Sequence, residues 1–287
     1  MSKAAAFLEL GKPRLSALAV LAVVAGLYMG ARVPPGLALV LYSIFGTVLV
    51  AVGGNALNMF LEREADRRME RTAGRPLPTG RLSPRAALVF GLVTVILGLA
   101  LLRHGTTSQA TIVCAAIAFT YVLVYTPMKR HTTLNTLVGA IPGALPPVVG
   151  YAAATGGLDQ RALALFLILF FWQVPHFLSI AWRYRADYER AGMQMLPVVS
   201  PEGRTTANQM VLYCTALVLV SLWPRFLGMT GDLYLFGAIL LGILFLVPTV
   251  VAARLRTERA MRQCFLTSII YLPLLLGIMV FDNTMRL

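Results

Sequence analysis

Residues 36–75 read GLALVLYSIFGTVLVAVGGNALNMFLEREADRRMERTAGR, an apolar run that closes on a charged segment. The apolar part, 36–61, exceeds the roughly 20 residues that a helix needs to cross a bilayer. At its end Asn58, Glu62 and Asp66 recur every four residues. On a helix such a step turns only about 40° and rises about 6 Å, so the three side chains line one stripe. Asn55 extends that stripe by a turn, whereas Glu64 points elsewhere. Behind it follow Arg67, Arg68, Arg71, Arg75, Arg81 and Arg85. A solvated helix end held by pairs such as Glu64 and Arg68 at i,i+4 would have this pattern. So would a place that holds a divalent cation and a phosphate, and spacing alone leaves both readings open.

Similar runs recur along the whole chain. Spans long enough to cross a bilayer lie at approximately 15–31, 36–61, 86–102, 110–127, 134–155, 162–182, 207–228, 233–252 and 264–281. The fold class is therefore all-α, a polytopic membrane protein of nine transmembrane helices bundled around a central cavity. The runs lack the alternation that a strand barrel requires. Composition agrees: 58% of the 287 residues are hydrophobic and 13% are charged, about half the charged fraction of a soluble domain. The mean hydropathy is +0.75. No low-complexity linker divides the chain, so residues 1–287 read as a single transmembrane domain.

A net charge of +13 invites a nucleic-acid reading, but the placement of the charges speaks for a lipid bilayer and for no nucleic-acid partner. The N-terminal segment (Lys3, Lys12, Arg14) and the loops after spans 2, 4, 6 and 8 carry 20 of the 25 Lys and Arg residues. The positive-inside rule puts that face, with the N-terminus, in the cytoplasm. Seven of the 12 acidic residues sit in the loops after spans 2 and 6. Cys114, Cys214 and Cys264 are isolated, with no CxxC pair, and read as small core residues.

Three clusters could carry chemistry. Asn58, Glu62 and Asp66 offer hard oxygen ligands without imidazole or thiol, a set that suits Mg²⁺ rather than zinc. Arg71 and Arg75 lie where the stripe gives way to the loop, and arginine forks match phosphate oxygens. The second cluster is Trp172-Gln173-Val174-Pro175-His176, leading to Arg183 and Asp187. On one continuous helix, 176, 183 and 187 would share a face. An ionisable residue at membrane depth marks function; the alternative is a neutral histidine hydrogen-bonded inside the bundle, for instance to the carbonyl freed by Pro175. By loop parity, Asp187 faces the first acidic cluster. The third candidate is Tyr125-Thr-Pro-Met-Lys129-Arg130, which also reads as a positive-inside anchor. In span 5, Gly139-x3-Gly143 permits close helix contact, while Pro142, Pro146 and Pro147 interrupt the backbone bonding.

Asn58-x3-Glu62-x3-Asp66, Tyr125-Thr-Pro-Met-Lys129 and the Asp187 loop together resemble the UbiA-type intramembrane prenyltransferases. Asp66-Arg-Arg-Met-Glu-Arg-Thr72 with Arg75-Pro-Leu, Trp172-Gln-Val-Pro-His176-Phe and Asp187-Tyr-x2-Ala-Gly-x2-Met-Leu-Pro197 resemble the haem-farnesylating branch of that family. The resemblance spans nearly the whole chain. It implies a farnesyl transfer from farnesyl diphosphate to a vinyl group of haem b, with haem b as substrate rather than cofactor. It implies Mg²⁺ held by Asn58, Glu62, Asp66 and Asp187, and a diphosphate bound by Arg67, Arg71, Arg75, Lys129 and Arg130. His176, Trp172 and Gln173 become haem-side residues, and Asp66, Asp187, Lys129 and His176 the catalytic set. A bacterial inner membrane with cytoplasmic active-site loops, and a downstream haem A synthase as partner, follow from the same resemblance. Two positions depart from the family's pattern: Glu62 replaces a common Asp, and Ala191 replaces the second acid of an Asp-x3-Asp pair, which leaves the number of metal ions open. The competing readings are a prenyltransferase for an aromatic quinone precursor and a transporter with an acidic cytoplasmic vestibule.

Overall fold

The computed structural model describes residues 3–286, and their side chains except those of residues 13–16. Arg14, counted above among the N-terminal cations, lies outside the described side chains. A chain crossing lipid must satisfy its backbone internally, and the described residues accordingly form helices throughout. After a short helix, Lys3–Leu10, comes span 1, Pro13–Gly30, whose apolar part is Ala17–Gly30. Eight further helices are long and apolar enough to cross: Leu37–Asp66, Pro84–Gly105, Ser108–Met128, Asn135–Thr155, Gln160–Arg183, Arg204–Phe226, Asp232–Leu255 and Glu258–Thr284. Among the described residues these eight helices and the shorter first one match the nine spans expected from the sequence, in the expected order, in an integral multi-pass membrane protein.

Two spans depart from regular α-geometry for local reasons. In span 4 the pitch widens to a π-helix over Thr120–Tyr125, just ahead of Pro127. Proline cannot donate to the carbonyl four residues back, and Thr126 N instead bonds to Tyr121 O. Span 5 breaks at Leu145, dividing Asn135–Ala144 from Pro146–Thr155. A broken backbone survives at membrane depth only under protein cover, and span 5 has that cover. Gly139 abuts the Tyr125 ring, Gly143 the Gln173 side chain, and Gly150 the backbone of span 1 at Val23. Gly26 of span 1 in turn lies against the Pro147 backbone. Spans 2 and 3 approach in the same way, with Gly46 against Gly98 and Gly53 against Gly91, small residues of the kind that let membrane helices meet.

The loops sort to the two ends as charge parity requires. At one end Glu70 N and Arg71 N donate to Asp187, Gln194 N donates to Lys129 O, and Lys12 Nζ donates to Asn58 Oδ1. The N-terminal turn and the loops after spans 2, 4 and 6 therefore meet. At the other end Tyr151 Oη donates to Asp159, Arg225 pairs with Asp232, and Asn283 Nδ2 donates to Met229 O. Gly26→Val would drive a side chain into the Pro147 backbone. Overpacking of this kind costs about 1–3 kcal/mol, so the variant is expected to unfold in detergent at a lower temperature. An unchanged midpoint contradicts the close contact between spans 1 and 5.

Candidate active site

The stripe on span 2 forms as the four-residue spacing predicts. Asn58, Glu62 and Asp66 are buried, at 1%, 6% and 0% exposure, while Glu64 is exposed. Each stripe residue meets a cation from another segment. Lys12 Nζ donates to Asn58 Oδ1 at 3.2 Å, Lys129 Nζ lies 2.7 Å from Glu62 Oε1, and Arg75 Nη1 donates to both Asp66 oxygens at 2.8 Å. A buried carboxylate is costly unless it is paired, and these contacts supply the pairing. Glu64 makes the solvated bonds instead, to Arg63 at 3.6 Å and Arg67 at 3.1 Å. The two readings of the sequence thus fall on different residues: Glu64 belongs to a salt-bridged helix end, and the stripe to a buried charge cluster.

The turn after span 2 is what returns Arg75 to Asp66. Thr72 Oγ1 donates to the Asp66 carbonyl at 3.0 Å, and Arg75 N bonds to Thr72 O. Arg71 lies over the rings of Tyr184 and Tyr188, 5.0 and 5.9 Å from their centres, at cation–π range. Arg67 and Arg130 are exposed at the rim and do not enter the cluster.

Asp187 is placed differently from expectation. It was expected to complete a ligand set with Asn58, Glu62 and Asp66. Its oxygens instead accept Glu70 N at 3.2 Å, Arg71 N at 3.4 Å and the Arg190 guanidinium. Among the described residues no three His, Cys, Asp or Glu side chains converge as a metal cage. Asp187 therefore fastens the loop that carries Arg71 and Arg75. The continuous face through 176, 183 and 187 is likewise corrected. Span 6 stops at Arg183, Tyr184 leaves the helical region, and Asp187 rides the short helix Arg185–Arg190. A straight helix would carry Asp187 along its axis, whereas the bonds to Glu70 and Arg71 require the chain to turn.

Electrostatics outside the spans follow from this clustering. Burial would lower Lys129, but the Glu62 carboxylate and Tyr125 outweigh it and hold the ammonium above the ordinary lysine range. Lys12 is pushed down to about 7, first by burial and then by the Arg75 cation, against the pull of Glu62. Its backbone sits at φ 47°, a left-handed conformation that costs a non-glycine residue energy. Lys12 was not among the sequence candidates. The signal lay in Gly11-Lys12-Pro13, where a helix must break and can turn a lysine back. Tyr121, which donates to Asn55 Oδ1 at 3.3 Å, was also missed, and Thr126, inside the third candidate segment but given no role there, accepts from Asn58 Nδ2 at 3.1 Å.

The second cluster lies in span 6 against span 9. Trp172 Nε1 donates to Ser268 O at 2.8 Å, and His176 Nδ1 is 2.7 Å from Ser268 Oγ. The partner of His176 is thus a hydroxyl of another span rather than the carbonyl freed by Pro175. Its ring is stacked between Trp172 and Phe265, with centroids at 4.9 and 5.2 Å. Gln173 Nε2 donates to Ala140 O and Leu169 O, tying span 6 to span 5.

In chemical terms, one membrane end offers hard oxygens and clustered cations, and a histidine with aromatic neighbours lies in span 6 against span 9. This is the equipment of an enzyme that handles a phosphorylated, apolar substrate within a membrane. The chain belongs to the UbiA prenyltransferase family, whose model matches residues 19–272. Among individual relatives, the protoheme IX farnesyltransferase of Solibacter usitatus (strain Ellin6076) is 48% identical over 286 residues, covering 96% of this chain and 98% of that protein. The protoheme IX farnesyltransferase of Salinibacter ruber (strain DSM 13855 / M31) is 42% identical, covering 96% and 98%. Two solved structures share the fold. A digeranylgeranylglyceryl phosphate synthase superposes with a TM-score of 0.80 at 20% identity, covering both chains in full. A UbiA homolog from Archaeoglobus fulgidus, bound to GPP and Mg²⁺, gives 0.73 at 16% identity, covering 99% and 100%.

The pairing of Lys129 with Glu62 has a direct test. Lys129→Met leaves the carboxylate buried without its cation, which costs about 3–5 kcal/mol. Lys129→Met combined with Glu62→Gln should recover most of that loss in a denaturation measurement. Additive losses in the double variant contradict the pairing.

Proposed function

We propose that this chain is a protoheme IX farnesyltransferase, which moves the farnesyl group of farnesyl diphosphate onto a vinyl group of haem b to give haem O. The observation that carries this reading is the buried stripe of Asn58, Glu62 and Asp66, each contacted by a basic side chain from a different segment. It is joined to near-full-length identity with proteins of that name. All 287 residues are taken as one transmembrane domain.

The residues fit a divalent cation. Asn58, Glu62 and Asp66 turn oxygen atoms to the basic side chains from one buried helix face, with no imidazole or thiol beside them. Hard oxygens with open positions suit Mg²⁺, which binds diphosphates through one or two carboxylates. When bound, Mg²⁺ would neutralise charge on the diphosphate as it leaves. The cations now resting on the stripe are the natural partners of that diphosphate. Arg75, Lys129 and Lys12 exchange their carboxylate or amide contacts for phosphate oxygens, and Arg71 joins from the loop that Asp187 fastens. Arg67 and Arg130, exposed at the rim, raise the local concentration of the anionic substrate.

Transfer begins as the bond between farnesyl C1 and the diphosphate oxygen breaks, the electron pair leaving with the diphosphate. Arg71, Arg75 and Lys129 stabilise that developing charge. The vinyl π electrons of haem b then bond to the allylic carbon, and water adds to the resulting cation with loss of a proton. Apolar walls keep water from the first cation. Trp172, Gln173 and His176 form the haem side. The charged end faces the cytoplasm by the distribution of Lys and Arg, in the inner membrane of a bacterial cell, and the product passes to a haem A synthase.

Purified protein in detergent, given farnesyl diphosphate, haem b and Mg²⁺, is expected to form haem O, read by mass analysis of the porphyrin. Asp66→Asn should abolish the product while the protein still folds in the membrane, and excess EDTA should do the same. Prenylation of an aromatic quinone precursor instead of haem b contradicts the acceptor. Full activity in EDTA contradicts the divalent cation.

A further inference from the structure

Ser268 of span 9 touches two atoms that both require a proton. Its Oγ lies 2.6 Å from the Phe265 carbonyl oxygen and 2.7 Å from His176 Nδ1. A serine hydroxyl has a single proton. Two oxygens without a proton between them would repel at 2.6 Å, a separation that belongs to the O–H···O range. The hydroxyl proton therefore points to Phe265 O. The contact to His176 then needs a proton from the imidazole, so Nδ1 is the protonated nitrogen and Ser268 Oγ accepts from it. The imidazole stacks on Trp172 and Phe265, and among the described residues no carboxylate pairs with it. Nε2 remains a bare lone pair, and none of the described residues donates to it.

We propose that Ser268 is a positioning residue for the reaction, fixing His176 as the Nδ1–H tautomer so that a bare Nε2 faces the iron of the porphyrin substrate. The inference rests on His176 lying on the haem side of the site. Neutral imidazole is an ordinary axial ligand of haem iron, and a ligating histidine is held in its tautomer by the group that accepts from its other nitrogen. Ser268 does this from a fixed place. Its carbonyl takes the Trp172 indole N–H at 2.8 Å, so spans 6 and 9 are joined one turn before the histidine as well as at the histidine itself. The stacked rings of Trp172 and Phe265 keep the imidazole from turning over.

The test adds ferrous haem b to the detergent-solubilised full chain. It follows the iron–histidine stretching band by resonance Raman and the affinity by Soret titration. Ser268→Ala is expected to weaken haem binding about 10–100-fold, the usual effect of removing such an outer partner, and to shift the band. Ser268→Thr, which keeps the hydroxyl, should restore both. His176→Ala should abolish the band. A wild-type band and affinity in Ser268→Ala overturn the role of Ser268 and leave the haem-side reading of His176 intact. A loss in Ser268→Ala that Ser268→Thr does not restore assigns the effect to packing and also overturns it. A band retained in His176→Ala overturns the haem-side reading itself.

Discussion

Carboxylates cannot be left bare where they are buried at the end of a membrane helix, and this constraint organises the charged end of the molecule. Asp66 has no exposed surface, and Arg75 closes on both of its oxygens. For that to happen the chain after span 2 must double back, which it does through Thr72 and through the hold of Asp187 on Glu70 and Arg71. Glu62 makes the same demand of Lys129, and so fixes the turn after span 4. Asn58 draws in Lys12 and the strained turn before span 1. Four segments far apart in sequence converge because one helix face carries acceptors that burial would otherwise leave unpaired.

The resting cluster is therefore neutralised from within. Cations rest against oxygens, and on the proposed function a metal diphosphate would take the place of these internal contacts, with phosphate oxygens meeting the lysines and arginines and the metal meeting the carboxylates. On the proposed function the acceptor is chosen elsewhere, at the wall where Trp172 and His176 meet Ser268.

Much of this was legible in the residues. The four-residue recurrence of Asn58, Glu62 and Asp66 dictated one face, because helical rotation leaves no other outcome, and Glu64 fell outside it for the same reason. The division of Lys and Arg between alternate loops placed the loops after spans 2, 4 and 6 together. What the pattern did not contain was the turn after Arg183 that takes Asp187 off the axis of span 6. That break is imposed by bonds from Asp187 to a loop 116 and 117 residues away, and periodicity is silent on contacts at such a distance. Lys12 and Ser268 were hidden for a similar reason. A lysine before a proline and a serine in an apolar helix look ordinary until their partners, 46 and 92 residues away, are known.

The exchange of internal ion pairs for a metal diphosphate is the central claim, and binding measures it without turnover. An unreactive thiodiphosphate analogue of farnesyl diphosphate is titrated into the detergent-solubilised protein by calorimetry, with and without Mg²⁺. Tight binding that requires Mg²⁺, and that is lost in Asp66→Asn, is the predicted result. Equal binding with and without the metal would contradict the account.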